Sequence, residues 1–284
     1  MTPFLDKLQR FTTDCVQTAL SFVKIILFSK FRTKVPILTS EKSELIIMGN
    51  GPSLSDFIEK SPSFWQNKTC LMVNFSACSE QFTVVKPELY VIADPYFWEQ
   101  QESTERLFGR MVQTVTWPIH LFMPVRSIPY KTWQKMVKEN SNIIVHFYNT
   151  TPVEGLECIT NFLYKRGWGM PRPHNVLIPA IMTGLRMPFQ RLYLAGAEHS
   201  WLLEVIVDDD NTLYYESIHY YTKQVVRQKT RDSKLYEMMF HMYVVFKGYF
   251  RIKDYARYLN KKIYNITPKS YIDAFERIKI SSDL

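Results

Sequence analysis

The sequence predicts an α/β protein with a single Rossmann-like, doubly wound parallel sheet. Short apolar segments recur along the chain, and segments with helical periodicity separate most of them. Strands that are apolar along their whole length are typical of a parallel sheet with helices on both faces. With 284 residues, 46% hydrophobic and 22% charged, the chain is long enough to bury such a core and too apolar to be disordered throughout.

Seven strands are predicted, at residues 44–48, 70–75, 89–93, 119–123, 143–147, 190–195 and 262–266. Helical patterns follow the first strand, precede the sixth at residues 175–187, and follow the seventh at residues 270–278. Residues 204–215 predict a β-hairpin around an acidic turn, and residues 233–260 predict a long helix rich in aromatic and basic side chains. These two segments belong to a lid region at about residues 200–260, inserted into a domain that runs from residue 37 to 284.

Residues 1–36 are predicted to form a separate amphipathic helix. Their apolar stretch, Ala19 to Phe28, is interrupted by Lys24 and is shorter than the roughly 20 apolar residues of a membrane span. A basic leader and a small-residue cleavage site, the marks of a signal peptide, are lacking. Two alternatives remain open: the helix lies in a membrane interface, or it packs on its own domain or on a partner.

The charge distribution favours contact with an anionic surface. The net charge is +8, and the basic surplus is concentrated in residues 1–36 and 223–279. This arrangement suits a membrane touched by the two ends of the chain better than a nucleic-acid track. The four cysteines form no CxxC pair, which disfavours a zinc site and a disulfide framework and favours a cytoplasmic protein with reduced thiols.

The segment Gly49–Ser53 carries the strongest functional motif. It follows a predicted strand and begins a helix, where glycines and free N–H groups can hold a phosphate; a plain strand-to-helix turn is the alternative. Asn50, Asn74 and Asp94 follow three successive strands, and the carboxyl ends of parallel strands share one edge of the sheet. Each could be a helix cap on its own, but together they predict a nucleotide-binding crevice.

Other polar residues have two interpretations each. The acidic run Asp208, Asp209 and Asp210 could bind a divalent cation, but its composition is more typical of an ordinary turn. His219 follows the second hairpin strand and could act as a general base, although a lone histidine is usually structural. His199 and Trp201 follow the sixth strand and could line an acceptor or sugar pocket.

The order of these motifs resembles that of the Campylobacter-type bacterial sialyltransferases over roughly residues 44–279. The resemblance rests on IIMGNGPSL, a strand ending in Asn74, the pair Asp94-Pro95, RLYLAG, the His219 segment and IYNITPKSYIDAF. The successive segments GAEHSW, VDDDN and HYY also resemble segments of capsule and lipopolysaccharide glycosyltransferases of gut bacteria. Such a protein is expected to have a GT-A-like Rossmann fold and a lid.

The resemblance implies inverting transfer of a sialic acid-like sugar from a CMP-activated donor, without a metal cofactor. The acceptor would be a surface polysaccharide or lipopolysaccharide, free or lipid-linked, at the inner face of the cytoplasmic membrane. The implied nucleotide-sugar contacts are Asn50, Gly51, Pro52, Ser53, Asn74, Asp94 (where the family has Asn) and Asn175. His219 would be the general base, and the leaving-group tyrosines would be sought among Tyr214, Tyr215 and Tyr220.

Two other functions share the sequence features. Archaeal pterin diphosphokinases have a GNGPS-type Rossmann core, but they need ATP and Mg²⁺, for which the acidic turn at residues 208–210 is the candidate site. A non-catalytic scaffold in a glycan-assembly complex is the third interpretation. No nucleic-acid partner is expected, and assembly into a homo-oligomer is compatible with the sequence.

Overall fold

The computed structural model describes residues 3–33, 42–218, 225–230 and 234–280. Its centre is an eight-stranded sheet in which every pair of neighbouring strands is parallel, in the order β11-β10-β6-β1-β2-β3-β4-β5. The strands are β1 Glu44–Met48, β2 Thr69–Val73, β3 Leu89–Val91, β4 Ile119–Pro124, β5 Ile143–Tyr148, β6 Arg191–Ala195, β7 Val205–Val207, β8 Leu213–Ile218, β9 Val225–Lys229, β10 Lys262–Asn265 and β11 Glu276–Arg277. The predicted Rossmann-like α/β fold is confirmed.

The direction of winding reverses at β1. The chain adds β2 to β5 on one side of β1 and then returns to place β6 on the other side. Met48, the last residue of β1, is therefore paired with Met72 of β2 and with Ala195 of β6. In open α/β sheets, such a switch in strand order leaves a crevice at the carboxyl ends of the two strands.

Ten α-helices are described, and most of them cover the sheet. They are α1 Pro3–Phe28, α2 Ser53–Lys60, α3 Pro62–Trp65, α4 Gln81–Val85, α5 Tyr96–Glu99, α6 Gln101–Thr114, α7 Thr132–Val137, α8 Glu157–Lys165, α9 Leu177–Leu185 and α10 Leu235–Tyr258. Along β1, Leu45 and Ile47 pack on one face with residues of α9 and α10, whereas Ile46 and Met48 pack on the other with residues of α2 and α6. The predicted burial of both faces follows from this alternation.

Strands β7, β8 and β9, which lie in the segment predicted to form a lid, make a separate three-stranded antiparallel sheet in the order β7-β8-β9. Val205 pairs with Tyr215 across the acidic turn, which confirms the predicted hairpin. The third strand, β9, was not predicted. Leu213 of β8 is buried against Met238 and Met242 of α10, so this small sheet packs on the long helix.

Helix α1 docks on the domain through its small polar side chains. The Ser21 hydroxyl donates to the carbonyl of Glu154 (2.9 Å), the Thr18 hydroxyl accepts from the N–H of Leu156 (2.9 Å), and Ile25 is buried. The other side of α1 exposes large apolar side chains, namely Phe4, Leu5, Leu8, Phe11, Val16, Leu20, Phe22, Val23, Ile26, Leu27 and Phe28. By length and composition, the helix Phe4–Phe28 could cross a membrane. The sequence predicted otherwise, because the uninterrupted apolar run within it is shorter than a membrane span.

The helix predicted at residues 270–278 is wrong. The side chain of Ser270 donates to the carbonyl of Ala197 (2.6 Å) and accepts from the amide of Asn265 (2.9 Å). These contacts fix a turn after β10, because short polar side chains compete with helical backbone bonding. The chain then adds Glu276–Arg277 to the sheet as β11, paired with β10.

Candidate functional site

The switch in strand order produces a cleft of about 310 Å³ beyond the carboxyl ends of β1 and β6. Two walls face each other across it. The loop wall consists of Gly49, Asn50, Gly51 and Pro52 after β1. The helix wall consists of Asn175 before α9, with His199 and Trp201 after β6. The cleft therefore brings together residues that the sequence singled out in three separate segments.

The loop wall is held by backbone contacts with the end of β6. The N–H of Gly49 donates to the carbonyl of Ala195 (2.8 Å), and the N–H of Gly51 donates to that of Gly196 (2.9 Å). A Cβ added at Gly49 would lie 2.3 Å from the carbonyl oxygen of Gly196. Glycine is needed at this position because the two backbones approach too closely for a side chain.

Behind the loop wall, the polar strand ends form hydrogen bonds with one another. The Ser76 hydroxyl donates to Oδ1 of Asn50 (2.6 Å), and the Asn74 amide donates to Oδ2 of Asp94. Asn74 has a left-handed backbone (φ 49°) and is almost fully buried, and its Oδ1 accepts from the N–H of Ala93. The predicted meeting of the strand ends at one edge is thus observed, but both ends of the Asn74 amide are engaged within the protein.

The helix wall depends on Tyr249 of α10. The amide of Asn175 donates to the Tyr249 hydroxyl (3.0 Å), whose oxygen lies 2.6 Å from Nε2 of His199. Since the hydroxyl accepts from Asn175, its own proton is available for Nε2. Burial lowers the pKa of His199 to about 3, so the imidazole is neutral near pH 7, and it packs at 4.2 Å between ring centroids on Trp201.

Asn175 also satisfies the backbone at the start of α9. Its Oδ1 accepts from the N–H groups of Leu177 (2.9 Å) and Ile178 (3.2 Å), which are otherwise unpaired at a helix start. Asn175, which was predicted to contact the nucleotide sugar, therefore stabilises the start of a helix and also lines the cleft.

A carboxylate occupies the helix start where a phosphate was predicted. Oε1 of Glu198 accepts from the backbone N–H of Ser53, the first residue of α2 (2.8 Å). Oε2 of Glu198 and the Ser53 hydroxyl are both buried, and neither has a hydrogen-bond partner among the described residues. Glu198 was not among the predicted site residues; its place three residues after β6, next to His199, was the available signal.

Glu204 is a second acidic residue of the cleft that was not among the predicted site residues. It ends the short 3-10 turn Trp201–Glu204, and burial raises the pKa of its carboxyl group. A carboxyl group with a raised pKa in a cleft is suited to proton transfer.

The acidic turn and the tyrosines of the hairpin make contacts within the three-stranded sheet β7-β8-β9. Asp208 forms an ion pair with Arg227 of β9 (3.0 Å), and the guanidinium of Arg227 lies 4.2 Å above the ring of Tyr214. Oδ1 of Asp210 accepts from the N–H of Thr212 (2.8 Å), which lowers the pKa of Asp210. Tyr215 packs beside the Leu213 cluster. Residues 208–210 thus lie in the turn that joins β7 to β8.

Two predicted site residues cannot be placed. His219 and Tyr220 follow β8 and lie outside the described residues. Within the described part of the chain, no group of three or more His, Cys, Asp or Glu side chains is placed to hold a metal ion.

Comparisons with known proteins support the fold. The structure is similar to that of a MAf glycosyltransferase from Magnetospirillum magneticum AMB-1, with a TM-score of 0.51 and 12% sequence identity over 94% of this chain. The chain spans 38% of the length of that protein. No protein-family model matches the sequence, and no curated protein does. At 12% identity the likeness shows a shared fold.

Proposed function

We propose that this protein is a glycosyltransferase that holds a CMP-activated, sialic acid-like sugar in the cleft between the loop wall and the helix wall. The cleft itself is the observation that carries the proposal, because it gathers Asn50, Asn175 and His199 at the switch point of the sheet. The fold shared with a MAf glycosyltransferase and the resemblance of the GNGPSL loop to bacterial sialyltransferases support the same class.

Donor binding must involve Glu198. A donor phosphate that reaches the N–H of Ser53 displaces the Glu198 carboxylate, since both are anions that need the same hydrogen-bond donor. Asn50, which is exposed at the cleft, supplies a further polar contact.

His219 is the proposed general base. Its imidazole takes the proton of the acceptor hydroxyl as that oxygen bonds to the anomeric carbon, and the bond from this carbon to the CMP phosphate breaks with its electron pair. The low pKa of His199 supports this choice, because a base works best when its pKa lies near the working pH. Glu204 is the competing base within the described cleft.

Transfer is proposed to need no divalent cation. Asp208 is paired with Arg227, and Asp210 holds the turn through Thr212, so two carboxylates of the acidic run already have partners. The same pairing disfavours the diphosphokinase alternative, which needs a Mg²⁺ site there. Activity that survives excess EDTA would agree with this, whereas activity lost to EDTA and restored by Mn²⁺ would contradict it.

The exposed side of α1 supports the proposal that the protein acts at a membrane surface. Its outer side exposes a continuous apolar surface, and the basic ends of the chain would add attraction to anionic lipid of roughly 1 kcal/mol per Lys or Arg near the surface. The substitutions Phe11→Ser and Ile26→Ser together should reduce co-sedimentation with anionic vesicles. Val84→Ser, which changes an exposed apolar residue of α4, should leave it unchanged.

A nucleotide screen tests the proposal most directly. CMP should raise the melting temperature of the wild-type protein, because a ligand that binds only the folded state stabilises it. Asn50→Ala should lose this effect, and Asn67→Ala, an exposed asparagine away from the cleft, should keep it. Stabilisation by ATP with Mg²⁺ alone would favour a kinase, and no stabilisation by any nucleotide would favour a scaffold.

Turnover measurements test the base. His219→Ala should bind CMP normally and lower turnover by at least about 10²-fold, in line with the contribution of general bases. An active His219→Ala variant beside an inactive Glu204→Gln variant would transfer the role to Glu204.

A further inference from the structure

A second and larger depression lies between α1 and α10, which we call the α1–α10 groove. Its volume is about 1210 Å³, whereas ligand pockets of small molecules usually have about 300–1,000 Å³. Residues of α1 form one side, residues of α10 form the other, and Tyr271 and Asp273 close one part of it. The groove therefore has the volume for a ligand of several units.

The lining combines aromatic rings with neutral hydrogen-bonding side chains. Tyr243, Phe250 and Tyr271 contribute exposed rings, and Gln9, Thr13 and Gln17 of α1 face them with amide and hydroxyl groups. A sugar ring has an apolar C–H face that packs on an aromatic ring and a rim of hydroxyls that hydrogen-bond to amides. This lining therefore fits carbohydrate.

The charges of the groove favour a neutral ligand. Its acidic residues are Asp6, Asp14 and Asp273, and its basic residues are Arg10, Lys247 and Arg251. Asp14 and Arg251 are 3.7 Å apart and join α1 to α10. Because the two signs balance, a polyanionic ligand or a row of lipid phosphates gains little net attraction here.

The groove adjoins the cleft. Leu202 of the groove belongs to the same short turn as Trp201 of the cleft, and the ring of Phe246, which lines the groove, lies 6.4 Å from that of His199. On the other side, the N–H of Tyr271 donates to the carbonyl of Glu198 (2.7 Å). A chain lying in the groove can therefore present its end to a donor in the cleft.

We infer that the α1–α10 groove binds the acceptor as a neutral oligosaccharide, with its end directed to the cleft. The assignment of this sugar as an acceptor rests on the proposed glycosyltransferase function. The groove also places the acceptor beside α1, the element proposed to contact the membrane.

The test measures binding of maltohexaose, cellohexaose and laminarihexaose to the full chain by saturation-transfer NMR and calorimetry. At least one of these neutral sugars should bind, and Tyr243→Ala and Tyr271→Ala should each weaken it about tenfold or more, as loss of a central aromatic contact does. Tyr258→Ala, an exposed tyrosine of α10 outside the groove lining, should bind as the wild type does.

Several results would overturn the inference. One is that none of the three sugars binds, and another is that both groove variants bind them as tightly as the wild type. A third is that the variants lose binding to phosphatidylglycerol vesicles but keep sugar binding, which would assign the groove to lipid headgroups. CMP affinity, measured on the same samples, should not change in the variants; sugar binding without any nucleotide binding would support the groove and contradict the transferase.

Discussion

The loop wall and the helix wall of the cleft are held in place by different kinds of contact. The loop wall is fixed by backbone hydrogen bonds from Gly49 and Gly51 to the end of β6, at a separation that only glycine permits. The helix wall is fixed by side chains, because the Tyr249 hydroxyl of α10 holds both Asn175 and His199. The first wall is attached to the sheet, whereas the second depends on the packing of α10.

This difference has a functional consequence. A change in the position of α10 would move Tyr249 and with it the polar groups of the helix wall, while the loop wall would stay with the sheet. The α1–α10 groove shares α10 with the helix wall, so an acceptor bound there contacts the same helix that positions His199. The two walls are therefore expected to respond differently to substitution.

The loop wall should be the less tolerant of substitution. In Gly49→Ala, the new Cβ meets the carbonyl oxygen of Gly196 at 2.3 Å, so the contact between β1 and β6 must open. We expect a loss of about 3 kcal/mol in the free energy of unfolding, measured by urea denaturation. Gly109→Ala in α6 is the control, since its nearest contact is an ordinary 3.6 Å and alanine favours helix. Equal effects at the two glycines would contradict the close approach.

The helix wall should weaken when the tyrosine hydroxyl is removed. Tyr249→Phe keeps the ring but leaves the buried Nε2 of His199 and the amide of Asn175 without this partner. We expect a loss of about 2 kcal/mol in the same denaturation experiment and weaker CMP binding. Tyr258→Phe, which changes an exposed tyrosine of the same helix, should have little effect. If Tyr249→Phe and Tyr258→Phe have the same stability and the same CMP affinity, the helix wall is held by packing alone.

His199 should make stability depend on pH. The unfolded chain binds a proton at this residue below about pH 6.5, whereas the pKa of the folded form is lowered to about 3. Between these values the unfolded state carries the additional proton. The contribution of neutral His199 is therefore complete above about pH 6.5 and is lost as the pH falls toward 3, at up to about 1.4 kcal/mol per pH unit.

The variant His199→Asn tests this dependence and tolerates the left-handed backbone at that position (φ 52°). Its free energy of unfolding should change less steeply than that of the wild type between pH 6.5 and 4. His120 and His146, whose pKa values are lowered by burial, that of His146 to about 4, remain in both proteins and contribute to the residual slope. Superimposable pH profiles would show that His199 titrates normally.

Glu198 should oppose nucleotide binding at the point where the walls meet. Glu198→Gln removes a negative charge from the start of α2 while keeping the shape of the side chain. We expect CMP affinity to rise several-fold by calorimetry, since a charge interaction at a helix start is worth about 0.3–1 kcal/mol. The affinity for uncharged cytidine should not rise. Lower CMP affinity in the variant would instead make Glu198 a direct contact of the nucleotide.

The sequence predicted the loop wall and the sheet around it well. The predicted bounds of β1 at residues 44–48 match the structure, and the glycine-rich segment after it is the loop wall. Asn50, Asn74 and Asp94 lie at one edge of the sheet because each comes within one to three residues of the end of a strand. The helix predicted at residues 270–278 is wrong, since Ser270 bonds to Ala197, a residue that is distant in sequence.

Local patterns in the sequence predicted seven of the eight strands of the central sheet and the glycine loop, because period, apolar runs and turn residues are local properties of the chain. Only the tertiary structure showed that Tyr249 holds His199, that Glu198 occupies the start of α2, and that α1 docks by its polar side with its apolar side outward. These contacts join residues far apart along the chain. They are set by which surfaces meet when the helices pack on the sheet, and no local pattern records that.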